Sequence, residues 1–391
     1  MNKVESGILS SITSKKKIIA AGHICLDITP VFPDKKVTGV DALLSPGKLV
    51  QTGAADVHTG GSVANTGLAL KLLGADVSLM GKIGCDAFGD MICNILKKYD
   101  VDEHMIRSPE ESTSYSVVLA IPGIDRIFLH NPGANGTFCC KDIDPKTLED
   151  AALFHFGYPT LMRAMYEKGG QELITLMKTV KEAGVLTSLD MAAVDPDSEA
   201  GRVEWSSILR ELLPYVDFFM PSVEELCFML DKPRFAEWQR RAAGKDITEI
   251  LDIEKDVKPL ADICMSYGAK VLLIKCGAPG IYYRTGDSDK MEAIGSKVEL
   301  DMESWVCKEG FEASYIPERV LSATGAGDTS IAAFLAAVLN GESLEEAMHL
   351  ATAAGASCVT AYDALSGLKT LDELKAKIKA GWQKNGEVTL C

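Results

Sequence analysis

A glycine-rich segment in the last quarter of the sequence carries the residues best suited to catalysis. The segment TGAGDT at 324–329 runs directly into an apolar stretch with the composition of a buried helix. The first N–H groups of a helix have no partner within the helix and can bind an anion such as a phosphoryl group. We expect Gly325, Ala326 and Gly327 to supply these groups and Asp328 to accept a proton. The alternative is that Asp328 only caps the helix and the glycines form an ordinary turn.

Two better-known phosphate-binding motifs do not explain this segment. The G-x-G pair of a dinucleotide-binding fold follows the first strand, whereas this pair lies near residue 325. The sequence contains no G-x-x-x-x-G-K-[ST] loop. The segment therefore has to be interpreted from the elements around it.

Those elements alternate between short apolar strands and helices. Strands are predicted at 17–22, 77–81, 152–157, 185–190, 218–220 and 271–274, and helices at 64–73, 171–183, 326–339, 344–359 and 371–382. This alternation predicts an α/β fold with a parallel sheet covered by helices on both faces. Extended strands within 28–58 and a hairpin of 115–121 with 126–130 predict a small appended sheet. The polar segment 286–317 is predicted to contain an extra hairpin around Trp305.

Composition excludes several classes of protein. The 391 residues carry a net charge of −15, which makes nucleic acid and anionic membranes poor partners. The eleven cysteines are scattered without a C-x-x-C pair, so we expect reduced thiols and no metal cluster. The apolar stretch after the polar tail at 1–17 is too short for a signal peptide or a membrane span. We therefore expect a cytoplasmic protein that binds small molecules.

Three motifs in fixed order resemble those of a known family. These are GGSVAN at 60–65, NPGAN at 131–135 and TGAGD at 324–328. They resemble the signatures of the ribokinase-like, PfkB-type carbohydrate and nucleoside kinases, over roughly residues 18 to 385. The resemblance implies a Rossmann-type α/β domain at 18–385, a small β-sheet lid from 28–58 and 113–131, and a short tail at 386–391. It also implies transfer of the γ-phosphoryl group of ATP to an alcohol.

The resemblance assigns roles to individual residues. Asp27, predicted to lie at the end of the first strand, matches an aspartate that binds substrate hydroxyls, and Asn65 matches the asparagine of the first signature. Gly60 and Gly61 would let the backbone approach the substrate closely. Each assignment has an alternative, because Asp27 could be a turn residue and Asn65 a polar residue at a helix start. In phosphoryl transfer Asp328 would act as the base, beside the amides of the glycine segment.

The nucleotide side of the site is assigned in the same way. The turn KCGAPG at 275–280 resembles the family's nucleotide-binding turn, which implies that ATP is bound by Lys275, Gly277, Gly280 and Thr324. The alternative is a plain loop after a strand. Glu225 is the residue expected to act at the Mg²⁺ site. Helix 348–359 is expected to face the adenine, although its alanines could equally be packing residues.

At three places the sequence differs from the family pattern, and the roles of the family's residues cannot be assigned directly there. Ser222 stands where relatives commonly have asparagine near the metal site, and its hydroxyl could still orient a water molecule. Ser322 stands where an acidic residue is usual, so we expect weak binding of a monovalent cation unless Asp363 restores the charge. Tyr158 and Pro159 lie where substrate-shaping residues vary, so the resemblance does not name the acceptor.

We interpret the chain as an ATP-dependent kinase for a hydroxyl of a small sugar, sugar acid or polyol. A nucleoside kinase of the same fold is one alternative, since the segment TGGS at 59–62 also resembles that branch. A non-catalytic sugar- or nucleotide-binding regulator is the other, although an intact Asp328 argues against it. A small sheet with exposed edges also predicts a homodimer that pairs through the lid.

Overall fold

The computed structural model describes residues 16–34, 39–124 and 127–386 of the chain. The predicted tails at 1–17 and 386–391 therefore lie almost wholly outside the described residues. The predicted domain boundaries at 18 and 385 stay a prediction. No helix in these three ranges is long and apolar enough to cross a membrane.

The strands form two separate sheets. The strands are β1 Lys17–Gly22, β2 Cys25–Thr29, β3 Asp56–Gly60, β4 Asp76–Gly84, β5 Asp102–Ser108, β6 Tyr115–Leu119, β7 Ile127–Asn131, β8 Ala151–Gly157, β9 Leu186–Asp190, β10 Phe218–Phe219, β11 Val271–Lys275, β12 Gly280–Thr285 and β13 Glu309–Ala313. Within the described residues, the large sheet has the order β13-β12-β11-β10-β9-β8-β1-β4-β5 and the small sheet β3-β2-β6-β7. Both the strand-rich core and the separate small sheet therefore agree with the predicted architecture.

The large sheet is parallel over most of its width but not throughout. Neighbouring strands from β5 to β11 all pair in parallel, whereas β12 pairs antiparallel with both β11 and β13. The predicted parallel sheet therefore carries an antiparallel edge that the sequence did not indicate. The reason is the short connection after β11, since only four residues separate it from β12. A connection that short permits a hairpin but not the crossover that a parallel pair needs.

The small sheet differs from the prediction in its first half. Strands β2 and β3 occupy only the two ends of the region predicted as extended, and the described residues between them form a 3₁₀ turn at Val40–Ala42. Pro30, Pro33 and Pro46 explain the interruption, because proline cannot donate a backbone hydrogen bond to a neighbouring strand. The predicted hairpin is confirmed, since β6 pairs antiparallel with β7.

Helices cover both faces of the large sheet. The helices are α1 Ser62–Leu72, α2 Ala87–Leu96, α3 Pro145–Glu149, α4 Arg163–Tyr166, α5 Gln171–Glu182, α6 Trp205–Leu212, α7 Val223–Leu230, α8 Lys232–Ala242, α9 Lys258–Ser266, α10 Ser288–Glu292, α11 Met302–Trp305, α12 Ala326–Leu339, α13 Leu344–Cys358 and α14 Leu371–Lys379. One hydrophobic core joins α1, α12 and α13 to the sheet, and a second joins α5, α6 and α9 to its other face.

Helix α12 is the central helix of the first core. Its residues are apolar on all sides, and nearly all of them are buried, which is typical of a helix enclosed by the protein. Helix α13 packs directly against it, and Gly355 lies so close that a Cβ atom there would come 2.6 Å from the Ser330 Oγ atom. The buried alanines of α13 therefore serve as packing residues. This burial holds the amino terminus of α12 firmly at the edge of the sheet.

The segment 286–317 does not form the predicted hairpin around Trp305. Trp305 lies at the end of the short helix α11, and its ring packs edge-on against Phe218 and Phe334 in the core. The strand in this segment is β13, which pairs with β12 instead. The prediction failed because the tryptophan was interpreted as a strand residue, whereas its burial beside α12 determines its position.

Candidate active site

The site forms where the carboxyl ends of the parallel strands meet the amino terminus of α12. Tyr158 directly follows β8, Asp190 ends β9 and Lys275 ends β11. Ligands in open α/β sheets bind at this edge. The turn before α12 reaches the same place through Gly325, whose φ of +77° is favourable only for glycine, and a Cβ atom there would collide with Ala364. The predicted catalytic segment therefore opens onto the ligand-binding edge of the sheet.

Asp328 lies in the first turn of α12 and is held by three side chains. Tyr158 donates from its hydroxyl to both carboxylate oxygens at 2.8 Å. Asn65 donates from Nδ2 to Oδ2, and Thr66 donates from Oγ1 to Oδ1, each at 3.1 Å. Asp328 is only 4% exposed. These contacts fix the orientation of the carboxylate more tightly than a helix cap requires.

The pKa of Asp328 reflects two opposing effects. Burial raises it above the usual value for an aspartate, while the hydrogen bond from Tyr158 and the charge of Lys275 lower it. Burial also raises the pKa of the Tyr158 hydroxyl, and the neighbouring Asp328 charge adds to that rise. Tyr158 therefore stays protonated and can donate, which suits a carboxylate kept ready to accept a proton.

Lys275 lies beside the glycine segment and forms a buried ion pair. Its Nζ atom is 2.6 Å from Asp190 Oδ1. A Cβ atom at Gly327 would lie 3.6 Å from the same Nζ atom, so the ammonium group borders the helix start. Burial raises the pKa of Asp190 and Lys275 opposes that rise, while Asp190 raises the pKa of Lys275 against the effect of burial. A cation here adds to the anion-binding character of the helix terminus.

Glu225 lies in the first turn of α7, next to this ion pair. Its Oε2 atom accepts from the backbone N–H of Ser222 at 2.7 Å, and the Ser222 hydroxyl accepts from the N–H of Glu225 at 3.2 Å. These reciprocal bonds form a capping box, so the Ser222 hydroxyl takes part in a cap. Burial raises the pKa of Glu225, and Lys275 opposes the rise.

Asp27 lies in the small sheet and not, as predicted, at the end of the first strand. It is the central residue of β2, because the chain leaves the large sheet at Gly22 and starts the small one at Cys25. A Cβ atom at Gly60 would come 2.1 Å from Asp27 Oδ2, so only glycine fits at that position. Gly61, with a φ of +83°, begins the turn into α1. The first signature therefore brings Asp27 and the start of α1 together.

A row of polar side chains crosses the small sheet beside Asp27. In register, His58 of β3 faces Asp27, Asp27 faces Ser116 of β6, and Ser116 faces His130 of β7. Residues directly opposite one another project from the same face of a sheet, so these four share one face. Ser116 Oγ and His130 Nδ1 are 3.0 Å apart. Burial raises the pKa of Asp27, against hydrogen bonds from Cys25 and Ser116.

The residues predicted for the nucleotide are more dispersed. Gly277 and Gly280 bound the turn after Lys275, and they pack against Thr248 and the Glu312 carbonyl respectively. The backbone N–H of Thr324 donates to Ser322 Oγ at 3.1 Å, which closes the turn before the catalytic segment. The structure thus places Lys275 next to Asp328 and Glu225 but gives Gly277 and Gly280 no contact with them. Their roles in binding ATP stay predictions.

Sequence reasoning missed four residues of the site. Tyr158 was expected only to shape the substrate, and Thr66, Asp190 and His23 were not singled out. A charged residue at the end of a buried strand, as in Asp190, was an available signal. Thr66 directly follows the signature residue Asn65 but does not belong to the motif, so nothing in the sequence assigned it a role. The partners of Asp328 lie more than 160 positions away along the chain, so only the fold brings them together.

Comparison with known proteins extends these observations. The family model for the pfkB family of carbohydrate kinases matches residues 16–371. Fructokinase-2 of Zea mays is 26% identical over 367 residues, which cover 90% of this chain and 91% of the relative. Probable fructokinase-5 of Arabidopsis thaliana is 27% identical over 376 residues, covering 93% of this chain and 97% of the relative.

Solved structures of low sequence identity share the fold. A fructokinase from Xylella fastidiosa with bound ATP superposes with a TM-score of 0.68 at 19% identity, covering 94% of this chain and 99% of the other. A ribokinase from Arabidopsis thaliana, complexed with ribose and ATP, gives a TM-score of 0.66 at 20% identity over 94% of this chain and 99% of the other. The predicted ribokinase-like fold is therefore confirmed. Because the family model spans most of the sequence, this chain belongs to the pfkB family of carbohydrate kinases.

Proposed function

We propose that the protein transfers the γ-phosphoryl group of ATP to a hydroxyl of a small sugar, sugar acid or polyol, with Asp328 as the general base. The observation that supports this most strongly is the position of Asp328 in the first turn of α12, beside N–H groups suited to a phosphoryl group. The fructokinases among its relatives point to the same acceptor chemistry. A nucleoside kinase is the alternative, because one structure of the same fold is a nucleoside kinase from Methanocaldococcus jannaschii.

The proposed reaction uses groups that are already in place. The acceptor hydroxyl donates its proton to Asp328 and its oxygen attacks the γ-phosphorus atom, while the bond to the β-phosphate oxygen breaks. Charge that develops on the transferred group is stabilised by the N–H groups of Gly325 and Gly327 and by Lys275. The N–H of Ala326, predicted to act with them, donates instead to the carbonyl of Ala323 at 3.2 Å. Gly60, Gly61, Asp27 and Asn65 are proposed to hold the acceptor. Asn65 also donates to Asp328, which would align the base with the bound hydroxyl.

Mg²⁺ is proposed as the metal that accompanies ATP. The described ranges contain no group of three His, Cys, Asp or Glu side chains able to hold a metal ion by themselves. That fits Mg²⁺, which is commonly bound through one or two carboxylates, waters and the phosphates of the substrate. Asp190, Glu225 and Asp328 face a single ammonium group, Lys275, so the site retains negative charge. Glu225 would hold the ion, which would neutralise charge on the phosphates.

A tightly bound monovalent cation is not part of the proposal. Ser322, buried at the base of the catalytic turn, contributes no charge, and Asp363 uses Oδ1 to accept from the N–H groups of Leu365 and Ser366. The missing carboxylate would remove an attraction of roughly 4 kcal/mol at 4 Å in an intermediate dielectric. Initial rates in potassium and in a bulky organic cation at equal ionic strength should therefore be similar, and strong activation by potassium would contradict this.

A homodimer through the small sheet is proposed on the exposure of its edge strand. Phe128 and Leu129 of β7 are 58% and 55% exposed, unusual for large apolar side chains. Sedimentation velocity at micromolar concentration should give about twice the 42.0 kDa of one chain, and Phe128→Glu should shift the protein towards monomer. A wild-type monomer would contradict the proposal.

A cytoplasmic location also stays a proposal, supported by free thiols at all ten cysteines in the described ranges.

The test of the proposed function is a coupled ADP-release screen of the purified protein with Mg-ATP. The panel should contain D-fructose, D-ribose, a polyol, a sugar acid and nucleosides, and the matched control is Asp328→Asn. We expect ADP release to depend on a sugar, sugar acid or polyol and to be lost in the variant. A protein that releases ADP only with nucleosides would support the alternative, and no release with any acceptor would contradict a kinase.

A further inference from the structure

His23 lies where the two sheets meet, directly after β1. Its backbone N–H donates to the carbonyl of Gly157 at the end of β8, and its carbonyl accepts from the N–H of Val63 at the start of α1, both at 3.1 Å. These two bonds fix the residue between the ligand-binding edge of the large sheet and the first signature. The backbone at His23 therefore has a defined position.

The His23 ring is buried, and neither of its nitrogens has a hydrogen-bond partner. The residue is 1% exposed, and both Nδ1 and Nε2 are without a partner. An unsatisfied buried polar group costs about 1–3 kcal/mol, so proteins seldom retain one without a reason. His155 shows the ordinary arrangement, since its two nitrogens contact Ser62 Oγ at 3.2 Å and Ser188 Oγ at 2.9 Å.

The surroundings of the His23 ring belong to the proposed acceptor site. The His130 ring lies 5.3 Å away on one side and the Tyr158 ring 6.2 Å away on another, measured between ring centroids. A Cβ atom at Gly61 would come 2.6 Å from His23 Nδ1. Tyr158 binds Asp328, and His130 belongs to the polar row that contains Asp27. The ring thus lies between the proposed base and the proposed acceptor-binding carboxylate.

We propose that His23 hydrogen-bonds a hydroxyl group of the acceptor, and that the acceptor is an uncharged sugar or polyol and not a sugar acid. This inference rests on the proposed function and narrows its substrate class. The His130 ring lies next to the His23 ring, but His130 is exposed, and its ring contacts Ser116. A rotation of the His130 side chain gives an acceptor hydroxyl access to the ring.

The chemistry of a buried imidazole explains the selection. Burial and the neighbouring His130 lower the pKa of His23 to about 3, so the ring is neutral at physiological pH. A neutral imidazole presents one N–H donor and one acceptor nitrogen, and hydroxyl groups both donate and accept. A carboxylate only accepts, so it could pair with the N–H of the ring but not with its acceptor nitrogen, whereas a hydroxyl can pair with either. A carboxylate would also place a negative charge between Asp27 and Asp328 without a cation from His23 to balance it.

The experiment measures acceptor binding and turnover separately. Titration calorimetry without ATP is carried out with D-fructose, D-ribose, myo-inositol and D-gluconate on the wild type, His23→Phe and His23→Gln. His155→Phe is the matched control, because it removes a buried histidine whose partners lie outside the proposed acceptor contacts. ATP affinity and thermal unfolding show that each variant is folded. The ADP-release assay is run on the same preparations.

The proposal predicts that the wild type binds at least one of the three neutral compounds and does not bind D-gluconate. His23→Phe should weaken that binding roughly 10-fold, His23→Gln should restore part of it, and His155→Phe should leave it unchanged. Equal binding by the wild type and His23→Phe would overturn the proposal, as would tighter binding of D-gluconate or no binding of any neutral compound. Turnover is judged separately, because its absence with every acceptor contradicts the kinase itself.

A second measurement needs no variant. In wild-type protein with ¹⁵N-labelled histidine, addition of the neutral acceptor that binds should move the ring-nitrogen resonances of His23, because a ring nitrogen gains a hydrogen-bond partner. The resonances of His155 should stay in place. Unmoved His23 resonances at saturating acceptor would overturn the proposal even if His23→Phe does not fold.

Discussion

The two polar regions of the site differ in how completely the protein satisfies its own groups. Around Asp328, Tyr158, Asn65 and Thr66 bind both carboxylate oxygens without any ligand. Around His23, two buried nitrogens have no partner. The difference indicates that the two regions have different roles. The protein itself orients the base, Asp328, whereas the acceptor supplies a hydrogen-bond partner to His23. Groups that perform chemistry gain from being fixed early, whereas groups that select a ligand gain from being unsatisfied without it.

The largest effect is expected from Asp328→Asn, which keeps the shape of the base but removes its ability to accept a proton. Turnover should fall by about 10²-fold or more, the usual scale for loss of a general base. Affinities for ATP and the acceptor should change little, since the other binding groups remain. Single-turnover kinetics measures the chemical step, and calorimetry measures the affinities for ATP and the acceptor. Near-normal turnover in this variant would show that the base has been assigned to the wrong residue.

Lys275→Met is expected to have the next largest effect, because it removes the cation beside the anion-binding turn. Turnover should fall about tenfold or more, and stability should fall by about 3–5 kcal/mol because Asp190 is left buried and unpaired. The double variant Lys275→Met with Asp190→Leu is the control, since an apolar pair can replace a buried ion pair at little cost. It should recover thermal stability without recovering turnover. Recovery of both would reduce Lys275 to a structural role.

Asp27→Ala tests the recognition side of the comparison. Loss of one buried partner should weaken acceptor binding by roughly 1–3 kcal/mol, while ATP affinity stays the same. Gly60 lies against this carboxylate, so the substitution could also disturb the small sheet. The matched control for such a disturbance is His58→Ala, because His58 pairs with Asp27 across the sheet. Calorimetry with the acceptor found in the screen measures both. If Asp27→Ala changed the affinity for ATP alone, the acceptor side and the nucleotide side of the site would have been assigned the wrong way round.

Tyr158→Phe is expected to have the smallest effect on maximal turnover but a specific effect on its pH dependence. The Tyr158 hydroxyl lowers the pKa of Asp328, so its removal should raise that pKa. Because the base acts when ionised, activity should then be lost at a higher pH on the acidic side of the profile. The measurement compares pH profiles of kcat for the wild type, this variant and the control variant Tyr267→Phe. An unchanged acidic limb would show that Tyr158 does not act through Asp328.

Much of the fold was predictable because its signals are local. The apolar strands β1, β4, β8, β9, β10 and β11 and helix α12 follow from short runs of sequence, and the order of the motifs identified the architecture. Strand β5 was missed, because its sequence DEHMIRS is largely polar. The antiparallel edge formed by β12 and β13 was missed because the 23-residue connection between them hides the second strand. The loop between β2 and β3 was overestimated as strand, since its prolines interrupt pairing without leaving a clear sequence pattern.

The residues of the site could be predicted only where they belong to a sequence motif. Asp328 and its glycines lie together in the sequence, so the helix terminus and the base could be recognised at once. Tyr158, Asp190 and His23 come from separate strand ends, and no spacing links them. Their roles depend on burial and on distances that arise when the sheet assembles. For that reason the sequence indicated the reaction better than it indicated the acceptor.

The most direct test of the central claim follows the phosphorus atoms themselves. ³¹P NMR of wild-type protein with Mg-ATP and its acceptor should show the γ signal of ATP replaced by one phosphomonoester per ADP formed, with no build-up of inorganic phosphate. Asp328→Asn should leave the ATP signals intact over the same period. Release of inorganic phosphate without an ester, or unchanged ATP with every sugar, polyol and nucleoside tested, would contradict phosphoryl transfer to an acceptor hydroxyl.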